Sequence, residues 1–239
     1  VASISTVIFA SLLPFSSFAD DSTTTYDTDT ETLYLHGNVK AEDVIKCNTY
    51  RDIRSVVAEE GAVLPEDCSS LFRGNLAYTF DLSLADTSQV TCMEGMFEDC
   101  ECASAIYLDG WDTSKVKSMA YMFCNCNHLV SIDISDFSAE SLIYQYESGT
   151  KEGAPAGINH MFADCTKLTT IYASNKWKPD YNDLGTTGLG YTFNNSTKLI
   201  GGSGSKNNEG DKNGWYASVD AGSDQGLFTQ SSCDFDAKT

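Results

Sequence analysis

Met96-Phe-Glu-Asp-Cys100 and Met122-Phe-Cys-Asn-Cys126 are two copies of one unit, and the distance between them decides the fold. A third copy is Met161-Phe-Ala-Asp-Cys165. Shortly past each cysteine stands Ala103, Leu129 or Leu168, and an alternating pair follows: Ile106/Leu108, Ile132/Ile134 and Ile171/Ala173. Between units runs Asp86-Thr-Ser-Gln-Val90, repeated as Asp112-Thr-Ser-Lys-Val116 and, in worn form, as Ser138-Ala-Glu-Ser-Leu142. These anchors begin at 86, 112 and 138, so one constant step separates them, the same step that separates Met96 from Met122. A degraded fourth unit has Thr192-Phe193 in the Met-Phe place and Ser196 in the cysteine place. Self-similarity at a fixed period of this length is the signature of a stacked repeat architecture.

Two periods within one unit predict its parts. Val116, Met119, Met122 and Phe123 recur at i, i+3, i+6 and i+7, the spacing of one face of a short helical segment. Asp112, Thr113 and Ser114 stand just before it, where their oxygens can cap free backbone N–H groups. Ile132 and Ile134 alternate as one face of a short strand. A single unit of this size cannot bury its apolar side, so neighbours must stack. The expected fold is an α/β repeat solenoid, a leucine-rich-repeat-like right-handed stack with a short parallel sheet and a cap at each end. Met96, Phe97, Cys100, Met122, Phe123, Cys126, Met161, Phe162 and Cys165 are its expected structural ladder.

The chain divides accordingly. Residues 71–200 read as the repeats, 32–70 as an N-terminal β-α-β cap and 201–239 as a C-terminal cap and tail. In the first cap, residues 33–37 and 55–59 read as strands and 41–46 as a helix. In the second, Trp215–Val219 reads as a strand, and Gly226-Leu-Phe228 should fold back onto the repeats. Leu142 and Ile158 occupy the places that Val116 and Met119 hold in the preceding unit, yet they stand much farther apart, so an insertion falls within 143–157. Insertions in repeat proteins loop out on one face, often the one that binds.

Val7-Ile-Phe-Ala-Ser-Leu-Leu-Pro14 followed by Ser16-Ser-Phe-Ala19 has the apolar run and small-residue site of a secretory signal peptide. Residues 1–19 are therefore expected to be a signal remnant of a chain shortened at its N-terminus, and the acidic, Thr/Asp-rich residues 20–31 a solvated linker. Among 239 residues, 34 acidic and 15 basic ones give a net charge of -19. Such a surface repels phosphate backbones and anionic membranes, which excludes nucleic acid as a partner class.

The Met-Phe-x-x-Cys units, with Trp111-Asp-Thr-Ser-Lys-Val116 between them, resemble those of the BspA-like leucine-rich-repeat bacterial surface proteins. The family's opening segment is resembled by Ser55-Val-Val-Ala-Glu-Glu-Gly-Ala-Val-Leu-Pro-Glu-Asp-Cys68. Its closing segment is resembled by Thr197-Lys-Leu-Ile-Gly-Gly-Ser-Gly204 with Trp215-Tyr-Ala-Ser-Val-Asp220. The resemblance covers roughly residues 32–230 and implies an extracellular, secreted or cell-surface-attached module without catalytic residues. It implies adhesion to a protein ligand such as a host matrix protein. The alternative is a structural spacer within a larger surface protein. Ala103, Ser138-Ala-Glu140, Thr192 and the insertion depart from the family's pattern.

No site chemistry competes with this reading. Cys100-Glu-Cys102 and Cys124-Asn-Cys126 are too closely spaced for the usual zinc loops, and Cys100 and Cys126 already serve as ladder positions. A Cys102–Cys124 bridge between neighbouring repeats is conceivable. His36, His128 and His160 stand beside no recognisable nucleophile motif. The Asp-rich turns are explained by side-chain turn capping rather than by calcium. No enzyme, cofactor or metal is expected. Trp111, Phe137, Tyr144, Tyr146 and Trp177 are the candidate binding surface, on the premise that aromatics in turns and the insertion face solvent.

Overall fold

The computed structural model describes residues 22–50, 52–143, 157–178, 191–202, 206, 207, 217 and 227–230. Strands β1 (Thr24–Asp27) and β2 (Thr32–Leu35) form an antiparallel hairpin. Helix α1 (Ala41–Cys47) then leads to β3 (Ser55–Ala58), β4 (Thr79–Asp81) and β5 (Ala105–Tyr107), each parallel to its predecessor. A second sheet holds β6 (Ser131–Asp133), β7 (Thr170–Ala173) and β8 (Thr229–Gln230), also parallel. Equivalent residues pair rung to rung: Val56 with Phe80, Phe80 with Ile106, and Ile132 with Ile171.

The Met-Phe segments are turns, not the helices that their spacing predicts. Residues 93, 95, 97 and 99 send their N–H groups to the carbonyls of 118, 120, 122 and 124 in the next unit, at 2.8–3.0 Å. The intervening Met96, Glu98 and Cys100 bond three residues back within their own unit. An α-helix would direct every N–H internally, to the fourth residue back. Here half of them stitch neighbouring units together. Left-handed residues enforce the pattern at two places per unit: Ser70/Gly74, Gly95/Asp99, Tyr121/Asn125, His160/Asp164 and Tyr191/Asn195. Consecutive turns bring every third or fourth side chain to the same side, so their apolar spacing imitates that of a helix. Among the described residues α1 is the single α-helix, and the expected α/β content of each repeat is corrected to turns plus strand.

The Asp-Thr-Ser segments likewise cap no helix. Asp86 and Asp112 each accept the N–H two residues on, at 2.9 Å, closing a turn. The Thr87 hydroxyl donates to the Asp112 carbonyl and accepts the Asp112 N–H; Thr113 does the same to Ser138. At these two steps one threonine clips a unit to the next, which is why Thr87 and Thr113 are buried; the third segment has Ala139 in that place.

All nine expected ladder residues are fully buried. Their rings stack continuously: Phe97 on Phe123 at 5.5 Å and Phe123 on Phe162 at 5.4 Å, with ring planes within 9° of parallel. Phe72 extends the stack below and Phe193 above, at 5.4 and 5.9 Å, and Phe228 meets Phe193 edge-on to close it. Beside the rings runs a polar column. Cys100, Cys126 and Cys165 point their thiols at the carbonyls of Phe72, Phe97 and Phe123, at 3.0–3.3 Å. Ser196 makes the same bond to Phe162 at 2.6 Å, and Asn207 makes it to Phe193 at 2.8 Å.

Residues 20–31 are not a solvated linker throughout. Thr24–Asp27 is strand β1, as β-branched Thr and aromatic Tyr26 favour. The Thr23 N–H and hydroxyl both bind Asp43 of α1, at 2.9 and 3.0 Å. At the insertion, the Ile143 N–H donates to the Lys117 carbonyl while Gly157 pairs with Ser118. Both flanks therefore belong to the stack, and the insertion narrows from 143–157 to 144–156, which lie outside the described residues. Trp215–Val219 does too, apart from Ala217, which is buried. No helix among the described residues is long and apolar enough to cross a membrane.

Candidate binding surface

Strand alternation sorts each unit into inward and outward residues. Phe80, Ile106, Ile132 and Ile171 point inward and are buried. Their neighbours line up on the outer face in register. One column runs Thr32, Ser55, Thr79, Ala105 and, in the second sheet, Ser131, Thr170. The next runs Tyr34, Val57, Asp81, Tyr107 and then Asp133, Tyr172. Two residues further along their strands, Glu59 and Asp109 are exposed, and Ser83 and Ser135 are half-buried.

The middle column carries the chemistry. Tyr107 is 50% exposed and Tyr172 39%, whereas Tyr34, in the same column, is half-buried. The first column beside them is small, so nothing of their own height shields the rings. Asp81 accepts the Ser83 hydroxyl at 2.7 Å through one oxygen, and Asp133 uses one oxygen likewise for the hydroxyl and N–H of Ser135. Their second oxygens accept no hydrogen bond among the described residues. A shallow depression beside this column is lined by Leu108, Asp109, Asp133, Ser135, Asp136, Ser174 and Lys176. The nearest cations are engaged: Arg54 with Glu31 and Lys176 with Asp136, both at 2.9 Å.

The binding residues expected from sequence lie elsewhere. Trp111, Phe137 and Trp177 are only 1%, 0% and 3% exposed, so they are withdrawn as surface candidates. Each follows a turn that swings it back over the core. Trp111 stacks on Phe137 at 6.2 Å and donates its indole N–H to the Leu82 carbonyl at 2.9 Å. Trp177 donates to the Ala217 carbonyl at 2.7 Å. Tyr144 and Tyr146 lie outside the described residues. Tyr107 and Tyr172 were findable: each stands between two inward apolar residues, Ile106/Leu108 and Ile171/Ala173, which marks it as outward.

A second aromatic column lies on the turn side. Tyr121 stacks on His160 at 4.7 Å and His160 on Tyr191 at 5.2 Å, all three at left-handed positions. Burial pushes the His160 pKa down, which keeps its ring neutral. Tyr121 is half-buried, while Tyr191 at the end of the column is 58% exposed.

All eight described cysteines are free thiols, so Cys102 and Cys124 form no bridge. Burial raises the pKa of Cys100, Cys126 and Cys165 far above the ordinary thiol value, and that of Cys124 to about 12. These are not nucleophiles at neutral pH. No group of His, Cys, Asp and Glu side chains among the described residues could hold a metal ion.

Residues 65–156 match the model of a family described as Mycoplasma protein of unknown function, DUF285. The match takes in the Met96 and Met122 units and the insertion, and ends before the Met161 unit. No curated protein and no solved structure matches the chain.

Proposed function

We propose that this chain is a leucine-rich-repeat-type solenoid, secreted or displayed on a cell surface, that binds a protein ligand through the outer face of its strands. The observation that carries this reading is the exposure of Tyr107 and Tyr172 in one outward column that runs beside a column of small residues. Tyrosine supplies a large contact area at little conformational cost and is enriched where proteins bind one another. The matched family is associated with BspA-like surface repeat proteins, in keeping with the resemblance of the repeat unit. A host matrix protein is the ligand class that this likeness favours.

The test is saturable binding of the purified chain to immobilised fibronectin, fibrinogen and whole cells. Tyr107→Ala with Tyr172→Ala should weaken it at least tenfold and leave the melting temperature unchanged. Absence of saturable binding to any protein or cell surface would favour the spacer reading instead.

A further inference from the structure

We propose that the segment docking on this face is cationic, a stretch of a partner protein rich in lysine and arginine; this rests on the binding reading above. The outward residues of β2 to β7 and those two positions beyond include Asp81, Asp133, Glu59 and Asp109 and neither lysine nor arginine. Asp81 and Asp133 stand on rungs either side of Tyr107, and Tyr172 pairs with Asp133. A tyrosine face flanked by carboxylates suits a guanidinium or ammonium group, which gains attraction from the ring and from the flanking charge. Arg54 already does this at the edge of the face, its guanidinium 5.3 Å from the centre of the Tyr78 ring. Rungs about 4.8 Å apart place Tyr107 and Tyr172 within reach of one segment carrying several cations. The chain's net charge of -19 steers such a partner in from a distance, as oppositely charged proteins attract one another.

The face and the total charge are separated by comparing variants of equal net charge. Asp81→Asn/Asp133→Asn removes two charges from the face while Asn retains an acceptor for the serine turns. Glu66→Gln/Glu140→Gln removes two exposed charges from the turn side. The probes are an arginine-rich peptide, a lysine-rich peptide and a glutamate-rich peptide, titrated at 50 and 300 mM NaCl. Both basic peptides should bind and the acidic one should not, with affinity falling at higher salt. The face pair, and Tyr107→Ala/Tyr172→Ala, should each weaken binding about tenfold, and the turn-side pair less than twofold. Equal weakening by both charge pairs, or unchanged binding in the tyrosine variant, would overturn the proposal. If a matrix protein binds and is lost with the tyrosines while neither basic peptide binds, the cationic class falls and the binding reading stands.

Discussion

Replacing Phe123 by alanine should cost about 4–5 kcal/mol of unfolding free energy, as the upper part of the ordinary range for a buried ring. The ring is fully buried and sits between Phe97 and Phe162, nearly parallel to both. Removing a buried phenylalanine side chain ordinarily costs about 3–5 kcal/mol. Each stacked neighbour adds roughly 0.5–1.5 kcal/mol beyond the area buried, which puts a doubly stacked ring at the upper end. The backbone is untouched, because the Phe123 N–H to Met161 carbonyl bond at 2.9 Å survives in alanine. The loss therefore belongs to the side chain. In a stacked array each unit is stabilised by its neighbours, so the central position forfeits both interfaces. Urea titration followed by Trp111 fluorescence and far-ultraviolet circular dichroism measures the change. Tyr107→Ala, on the exposed face, is the control and should shift stability by less than about 0.5 kcal/mol. If Phe123→Ala cost under about 1.5 kcal/mol, well below the ordinary range, or no more than the control, the ring stack would not be the mechanical centre of the fold.

The polar column predicts that Cys126→Ser keeps nearly full stability, since Ser196 already makes the equivalent bond, whereas Cys126→Ala loses about 1–2 kcal/mol by chemical denaturation. Alkaline pH should destabilise the protein. Cys100, Cys126 and Cys165 have raised pKa values when folded, so their contribution is full below the unfolded thiol value of 9.0 and is lost as pH rises past it. The fall should approach about 4 kcal/mol per pH unit for the three together, and a triple serine variant should flatten it. Labelling with a thiol reagent at pH 8, mapped by mass spectrometry, should reach half-buried Cys92 and Cys102 before Cys124, whose pKa lies near 12. The three core thiols should label only on unfolding. Asn125, left-handed with φ of 63°, should lose about 1–2 kcal/mol as alanine and less as glycine, measured by melting temperature.

The sequence shows the Met-Phe-Cys rungs plainly because their side chains do one job in every copy. It hides Phe72, which belongs to the same stack, because Leu71 and Asn75 replace Met and Cys, and because Phe72 lies one position closer to Phe97 than Phe97 does to Phe123. Asn207 is hidden more deeply. Nothing around it resembles the unit, yet it makes the column's last bond. The helix expectation failed because apolar spacing near three cannot separate a helix from a run of turns. The informative signal lay in the residues between. Gly, Asp and Asn recur at 74, 99, 125, 164 and 195, the types that accept a left-handed backbone. Trp111, Phe137 and Trp177 misled for a related reason. A residue just after a strand can point out to solvent or fold back over the next rung, and the turn that decides between these carries no distinctive residue.

Where the sequence is constrained also shows where it is free. The turn ladder occupies the backbone, the threonine clips tie unit to unit, and the rings and thiols fill the interior. The outward strand residues have none of these duties. The fold would accept Ser, Thr or Ala at every one of them, as it does through the column from Thr32 to Ala105. Tyr107 and Tyr172 depart from that pattern. Each leaves a large part of its ring in water, which lowers solubility, and neither stacks on another ring among the described residues. They alternate with carboxylates that a cation could share. A side chain that the fold does not require, placed where it costs solubility, is the one to test for a partner.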